Sequence, residues 1–322
     1  MYDSPFRYPK NLPIKKRMSS GIAAQRAPCE KLELTRVDAR LSGCASLPSL
    51  STIDSALRAL LDADQRYNSQ IAEIIRRDPS LTARLLRLVN AVHYSTAKPA
   101  RNIDEAVFYL GVHKIRQLAM VTQIIEDFQK MTDAHRFPWK QFWRHCIATA
   151  LMTREITEWL QLQVDEIDYV GGLIHDVGKI VMASAFPDHF EEIYHRRVNE
   201  GANLMQLERE VLGVDHAELG GMYLRKQGLA DAYVEIVRFH HAPELARYQA
   251  KVTAAVHLAD LLVRHSKLGE SGNHAEVPLD SWVESPAWKI LVGHQEDAQG
   301  DFLRTGLNQS LERIPPMLDS LG

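Results

Sequence analysis

Residues 171–180, GGLIHDVGKI, set a histidine and an aspartate side by side in an apolar run, with a glycine and a lysine close behind. Neighbouring residues on a helix point about 100° apart, so His175 and Asp176 cannot both face an apolar core. Two readings follow. Both groups could touch one metal ion, or they could form the polar edge of an amphipathic helix. The choice turns on what other ionisable groups the chain can bring to the same place.

Further candidates stand in apolar surroundings. His145 lies in FWRHCIATA, His216 follows Asp215 in GVDHAELGG where a helix should begin, His240 and His241 end VEIVRFHH, and Asp260 lies in AAVHLADLL. Each has an ordinary explanation. His145 reads as a hydrogen-bonded core histidine, Asp215 as an N-cap, and the histidine pair as a complement to a helix dipole. Asp260 could cap a neighbouring helix or pair with Arg264 four residues on. Taken together, five histidines and two aspartates on successive helices offer the normal nitrogen and oxygen ligands of zinc, iron, manganese and related ions. Helical bundles build such centres from side chains that project inward off facing helices. An aspartate next to a ligand histidine can bridge two ions, which would polarise a phosphate and ionise water at neutral pH. Asp176 and Lys179 are therefore the candidate catalytic residues. Lys179 could hold a phosphate, pair with a carboxylate such as Glu208 or Glu210, or stay solvated. Gly178 fits close helix packing, since an interior glycine costs up to about 1 kcal/mol relative to alanine.

The elements that must position these groups are helical. In STIDSALRALL, Ser51 precedes Asp54 by three, and Ile53, Leu57, Leu60 and Leu61 share a face. DPSLTARLLRLVN starts with Asp78 as cap and Pro79 at the first position, with a stripe of Leu81, Leu85, Leu86 and Val89. NIDEAVFYLG takes Asn102 as cap, Glu105 three residues later and Gly111 as stop. QFWRHCIATALMTREITEWL, VDEIDYVGGLIHDVGKIVMASAF, LMQLEREVLG, AELGGMYLRKQG, ADAYVEIVRFHH and KVTAAVHLADLLVRH continue the pattern, and period-2 alternation is missing. The expectation is an all-α, two-lobed helical bundle. It divides into a basic, disordered extension over 1–46, a helical lobe over 47–130, a second lobe with the metal centre over 131–268, and a loop with a helical tail over 269–322. His93 and His113 fall outside the ordered set and read as structural.

Composition narrows the classes. The 322 residues are 45% hydrophobic and 25% charged with a net charge of −3, an ordinary globular balance with no overall pull toward nucleic acid or anionic membrane. Residues 1–28 hold Arg7, Lys10, Lys15, Lys16, Arg17 and Arg26 against the single acid Asp3, and a floppy basic tail adds electrostatic affinity without reading a sequence. No apolar core of a secretory signal follows these basic residues, and no run is long enough to span a bilayer. Cys29, Cys44 and Cys146 form neither a disulfide framework nor a CxxC pair. A cytoplasmic protein is expected.

The order H…HD…H…HH…D resembles the HD superfamily of metal-dependent phosphohydrolases, and the fuller set resembles its HD-GYP branch. The closest overall likeness is to the HDOD family, the HD-related output domains of bacterial signalling. It runs from about Leu47 to His265 through LPSL, DPSLTARLLRLVN, NIDEAVFYLG, GLIHDVGK, LEREVLGVDHAELGG and the FHH segment. The resemblance implies an all-α HD-type fold and a regulatory role with a signalling protein or a nucleotide as partner. It also implies one or two divalent ions (Fe, Mn, Ni or Zn) held by His145, His175, Asp176, His216, His240, His241 and Asp260. Hydrolysis of a nucleotide or cyclic dinucleotide is the alternative activity. After the doublet, HHAPELARYQ stands in place of the loop that carries GYP, so the substrate site of that branch is not matched.

Overall fold

The computed structural model describes residues 28–43, 75, 82, 85–86, 89–90, 100–111, 115, 137–162, 164, 167–200, 203–273, 277–278, 281–293 and 298–321. Among these residues the regular structure is all helical. The helices are α1 (Leu34–Gly43), α2 (Ile103–Leu110), α3 (Trp139–Trp159), α4 (Ile167–Ile174), α5 (Val177–Ala185) and α6 (Pro187–Glu200). They continue with α7 (Leu204–Val211), α8 (His216–Lys226), α9 (Asp231–Phe239), α10 (Ala250–His265), α11 (Pro286–Val292) and α12 (Ala298–Leu321).

Local chemistry sets several of the boundaries. Asn102 caps α2 by accepting from the Glu105 N–H at 2.8 Å, and Glu105 reaches back to the Arg101 N–H. Gly111 ends that helix at φ 74°, a conformation in which a side chain would be strained. Of the DPSLTARLLRLVN stripe, Leu85 and Val89 are buried, whereas the caps at Ser51, Asp78 and Pro79 lie outside the described residues, as do His93 and His113.

Around the site, α3 packs on α4 and α10, while α8 packs on α5 and α9; α9 in turn touches α4 and α10. One apolar core runs through this bundle, with Phe142, Phe186 and Tyr223 almost fully buried. The α5–α8 crossing is close because Gly178 and Gly220 face each other, and a Cβ on Gly220 would sit 3.0 Å from the Gly178 nitrogen. The tail helix α12 lies along α3. Trp159 Nε1 donates to Ser310 at 3.2 Å, and Glu155 accepts from both Ser310 and Arg313 at 2.6 Å.

The structure differs from the sequence expectation in two places. Residues 34–43, within the segment expected to be a disordered extension, form α1. It buries Val37 and Leu41 and is tied down by Leu32 N–H to Leu212 O at 3.0 Å and by Arg40 to Ala185 O at 2.7 Å. Two apolar residues four apart, with these hydrogen bonds, dock the helix. The HD pair also does not lie within one continuous helix: His175 and Asp176 form a turn between α4 and α5.

Candidate metal centre

That turn is what makes the HD pair useful. With Asp176 at φ −95° and ψ 12°, the chain leaves the helical path, so adjacent side chains need not diverge by a helix's 100°. His216 is the first residue of α8, capped by Asp215, whose side chain accepts from the Glu218 N–H at 2.9 Å. His240 and His241 follow the last residue of α9. His145 and Asp260 project from the interiors of α3 and α10, which pack together. Four of the seven groups thus come from helix ends and turns, one lies at a helix start, and two are mid-helix.

The structure brings all seven together, in two groups. His145, His175 and Asp260 offer ligand atoms within 4.8 Å of one another, and so do Asp176, His216, His240 and His241. Asp176 stands between them. Its Oδ2 lies 3.3 Å from His175 Nε2 and 3.9 Å from His145 Nε2, while its Oδ1 lies 3.2 Å from His216 Nε2 and 3.7 Å from His240 Nε2. Asp260 Oδ1 is 3.1 Å from His145 Nε2, and its other oxygen lies 3.5 Å from Arg264. Asp260 therefore makes the i,i+4 pairing weighed from the sequence, while on the neighbouring helix it meets a mid-helix histidine and caps no helix end.

Hydrogen bonds fix how the rings present themselves. His175 Nδ1 is 2.7 Å from the carbonyl of Gly172, and His240 Nδ1 is 2.7 Å from that of Val237. A carbonyl only accepts, so each Nδ1 carries the proton and each Nε2 turns a lone pair inward. His216 Nδ1 donates to Glu208 at 2.6 Å, the carboxylate–histidine arrangement that orients metal ligands. Fully buried and without hydrogen-bond partners are His145 Nδ1 and Nε2, His175 Nε2, His240 Nε2 and Asp176 Oδ1. Orphaned buried polar atoms are rare in folded proteins, and four of these five, the three Nε2 atoms and Asp176 Oδ1, belong to the two ligand groups. A divalent ion would satisfy these four, so the residues present fit such an ion.

Protonation agrees. Burial holds His145 below its ordinary pKa, depresses His240 to about 4, and holds His241 well below the usual range. Burial would raise Asp176, yet Lys179, His175 and His216 outweigh it and hold the carboxyl well below the carboxylate range; Asp260 is held down by His145 and Arg264. Neutral imidazoles and ionised carboxylates are the forms that bind metals. His216 is the exception. Burial opposes its protonation, but Glu208 and Asp176 prevail and lift its pKa to about 9.

Lys179 pairs with a carboxylate, though with neither of the two named as examples from the sequence. Its ammonium bonds Asp176 Oδ2 at 2.6 Å and the carbonyl of Ser271 at 2.9 Å, not Glu208 or Glu210. One turn of α5 separates Lys179 from Asp176, and Glu208 is already committed to His216. Two supporting groups were missed from the sequence. Glu208 was named only as a lysine partner, although its place eight residues before His216 in LEREVLGVDH was a usable signal. His257, whose Nδ1 bonds the His240 carbonyl at 2.7 Å, left no signal beyond its apolar helix.

Residues 47–243 match the HDOD domain family model. The chain belongs to the HDOD family. It is 26% identical over 208 residues to an uncharacterized protein of Treponema pallidum (strain Nichols), covering 64% of this chain and 40% of that protein, so the chain spans less than half the length of that curated relative. A crystal structure of an HDOD domain protein of unknown function from Geobacter sulfurreducens superposes with a TM-score of 0.68 at 25% identity, covering 90% of this chain and 99% of that one. A Shewanella amazonensis SB2B structure, provisionally named a phosphohydrolase, superposes with a TM-score of 0.58 at 22% identity over 86% of this chain and 97% of that one, which supports the shared fold. Among the described residues, no helix is long and apolar enough to cross a membrane.

Proposed function

We propose that this HDOD protein is a bacterial, cytoplasmic signal-transduction module that carries a dinuclear divalent-metal centre and answers to a signalling protein or nucleotide. The observation that carries the reading is the division of Asp176, which turns one oxygen toward His175 and His145 and the other toward His216 and His240. His145, His175 and Asp260 would hold one ion, His216, His240 and His241 the other, and Asp176 would bridge them. A bound ion would supply Lewis acidity and charge neutralisation at this point. The chain's own residues would do the rest. Gly172 O and Val237 O orient His175 and His240, Glu208 orients His216, and Lys179 holds the bridging carboxylate ionised. Binding through His216 Nε2 would release the proton that Glu208 and Asp176 keep on that ring.

Burial favours a regulatory over a hydrolytic role. Six of the seven groups are at most 4% exposed, only His241 is partly open, and Lys179 is engaged by Asp176 and Ser271. The split carboxylate also supports a second reading, a phosphohydrolase acting on a nucleotide or phosphodiester that enters past His241. Elemental analysis of the full chain, purified without chelator or histidine tag, tests the centre. Near-stoichiometric Fe, Mn, Ni or Zn in the wild type, lost in Asp176→Ala, is expected. A folded wild type that stays metal-free after reconstitution would refute it. Turnover of phosphodiesters by the loaded protein would move the conclusion to the second reading.

A further inference from the structure

The chain that leaves α10 folds back over the metal centre, and its backbone is shaped to do so. α10 ends in a Schellman motif, with Lys267 N–H on Arg264 O at 3.1 Å and Leu268 N–H on Val263 O at 3.0 Å. Lys267 takes the left-handed position there at φ 54°, where glycine is usual. Gly269 and Gly272 follow at φ 85° and 82°, in a region that side chains rarely adopt. Gly269 lets the loop lie against α3 beside His145. A Cβ there would overlap the His145 backbone nitrogen, and the next N–H, that of Glu270, bonds Gln141 O at 2.9 Å. The carbonyl of Ser271, a buried residue, then accepts from the Lys179 ammonium at 2.9 Å, and the carbonyl of Gly272 accepts from Arg197. Asn273 N–H closes the turn on Ser271 Oγ at 3.0 Å. Lys179 connects this loop to the ligands. Its ammonium also donates to Asp176 Oδ2 at 2.6 Å, the oxygen that faces His175 and His145. An ammonium is a point charge on a flexible four-carbon stem, so one acceptor fixes its distance and a second is needed to fix its direction. Ser271 O is that second acceptor. The loop lies outside residues 47–243, the stretch that matches the family model.

We propose that residues 267–273 are a positioning loop for the metal centre, in which Ser271 O aims Lys179 at Asp176 Oδ2 and thereby sets the bridging carboxylate. The inference rests on the metal reading above and adds to it the backbone that holds the bridge. Gly272 is the hinge of the arrangement. Its φ is the rotation about the bond that follows the Ser271–Gly272 peptide, so a change of φ turns that peptide plane and swings Ser271 O off the ammonium. An alanine at 272 favours such a change, because its Cβ is strained at φ 82°. The added carbon meets side-chain atoms, Arg197 Nη1 at 3.1 Å and Phe137 at 3.2 Å, whereas at Gly269 it would meet backbone. Gly272→Ala therefore disturbs the loop with less risk to the fold than Gly269→Ala.

Titrations of the full chain with Fe, Mn, Ni and Zn, each alone in competition with a chelating dye, test the proposal in wild type, Gly272→Ala, Lys179→Met and the double variant. Loss of an outer partner costs about 10–100-fold in metal affinity, and a loss of that size is expected in Gly272→Ala. In the Lys179→Met background Gly272→Ala should add nothing, since the loop acts through the ammonium. Gly293→Ala is the control. It places the same backbone strain at φ 87° with nothing within 4 Å of the new carbon, and its metal affinity should match wild type. Affinity undiminished in Gly272→Ala, an equal loss in both backgrounds, or an equal loss in Gly293→Ala would each overturn the proposal. If Gly272→Ala unfolds, the Ser271 carbonyl-carbon resonance decides. It must move on metal uptake in the wild type and stay in place in Lys179→Met; a resonance unmoved in the wild type, or moved equally in both, would overturn the proposal. A wild type that takes up none of the four metals would refute the metal reading and this inference with it, whereas full affinity in Gly272→Ala removes the loop alone.

Discussion

Gly178→Ala is the sharpest test of how the GLIHDVGKI segment is built into the fold. A Cβ at residue 178 would overlap the carbonyl oxygen of His216, lie 2.6 Å from its carbonyl carbon and 2.8 Å from the Gly220 nitrogen. Carbon contacts are most favourable at about 3.5–4.0 Å. All three neighbours are backbone, so no side chain can swing away, and α5 and α8 would have to separate. Overpacking costs about 1–3 kcal/mol, and a backbone obstacle belongs at the upper end. Alanine returns about 1 kcal/mol of helix propensity. The net is a loss of about 2 kcal/mol, or roughly 3–8 °C in Tm. The same movement carries His216 away from Asp176, so metal affinity should fall with stability. Gly43→Ala in α1, where nothing lies within 4 Å of the added carbon, is the control and should be neutral or slightly stabilising. Urea midpoints and metal titrations of both variants check this. A Gly178→Ala protein as stable as the Gly43→Ala protein would show that the α5–α8 crossing is not set by the glycine, and the packing argument would fail.

Glu208→Gln should lower metal affinity about 10–100-fold, because the ring it orients loses its charged acceptor; competition with a chelating dye measures this, and unchanged affinity would remove Glu208 from the centre. Asp168, fully buried, is paired with Arg154 at 2.8 Å and with Thr157 at 2.6 Å, yet burial, the largest influence, raises its pKa above 3.8. Its contribution to stability is therefore complete below 3.8 and is lost as pH rises through the folded value. Wild type should lose stability relative to Asp168→Asn as pH rises from below 3.8, and a gap that widens the other way would contradict the sign. Glu235 accepts from the backbone N–H groups of Arg247, Tyr248 and Gln249 at 2.8, 3.0 and 2.7 Å and so anchors the chain between the histidine pair and α10. Glu235→Gln should speed amide exchange at those three residues roughly tenfold, since charge-assisted bonds are about twice as strong as neutral ones; exchange rates unaltered there would show the loop is held by other contacts.

The sequence by itself determined the features that depend on a few consecutive residues. Helical periodicity, the caps at Asn102 and Asp215 and the stop at Gly111 are all written within one turn of chain, because helix hydrogen bonds and caps join residues three or four apart. The ligand types were equally legible: histidines and aspartates in apolar helices are conspicuous whatever the fold. What required tertiary structure is how they meet. Asp260 lies beyond the range that matches the family, and only the packing of α3 on α10 puts it 3.1 Å from His145. The two oxygens of Asp176 reach different histidine groups because the chain turns between α4 and α5, a break that the continuous apolar run of VGGLIHDVGKIVM conceals. Lys179 chose Asp176 and a carbonyl 92 residues away over Glu208 or Glu210. Arg197 drew no expectation from the sequence, and only folding buries its guanidinium over the Tyr194 ring. Helix crossings are set by the summed packing of many side chains, and no local pattern records which distant group will occupy the space that the packing leaves.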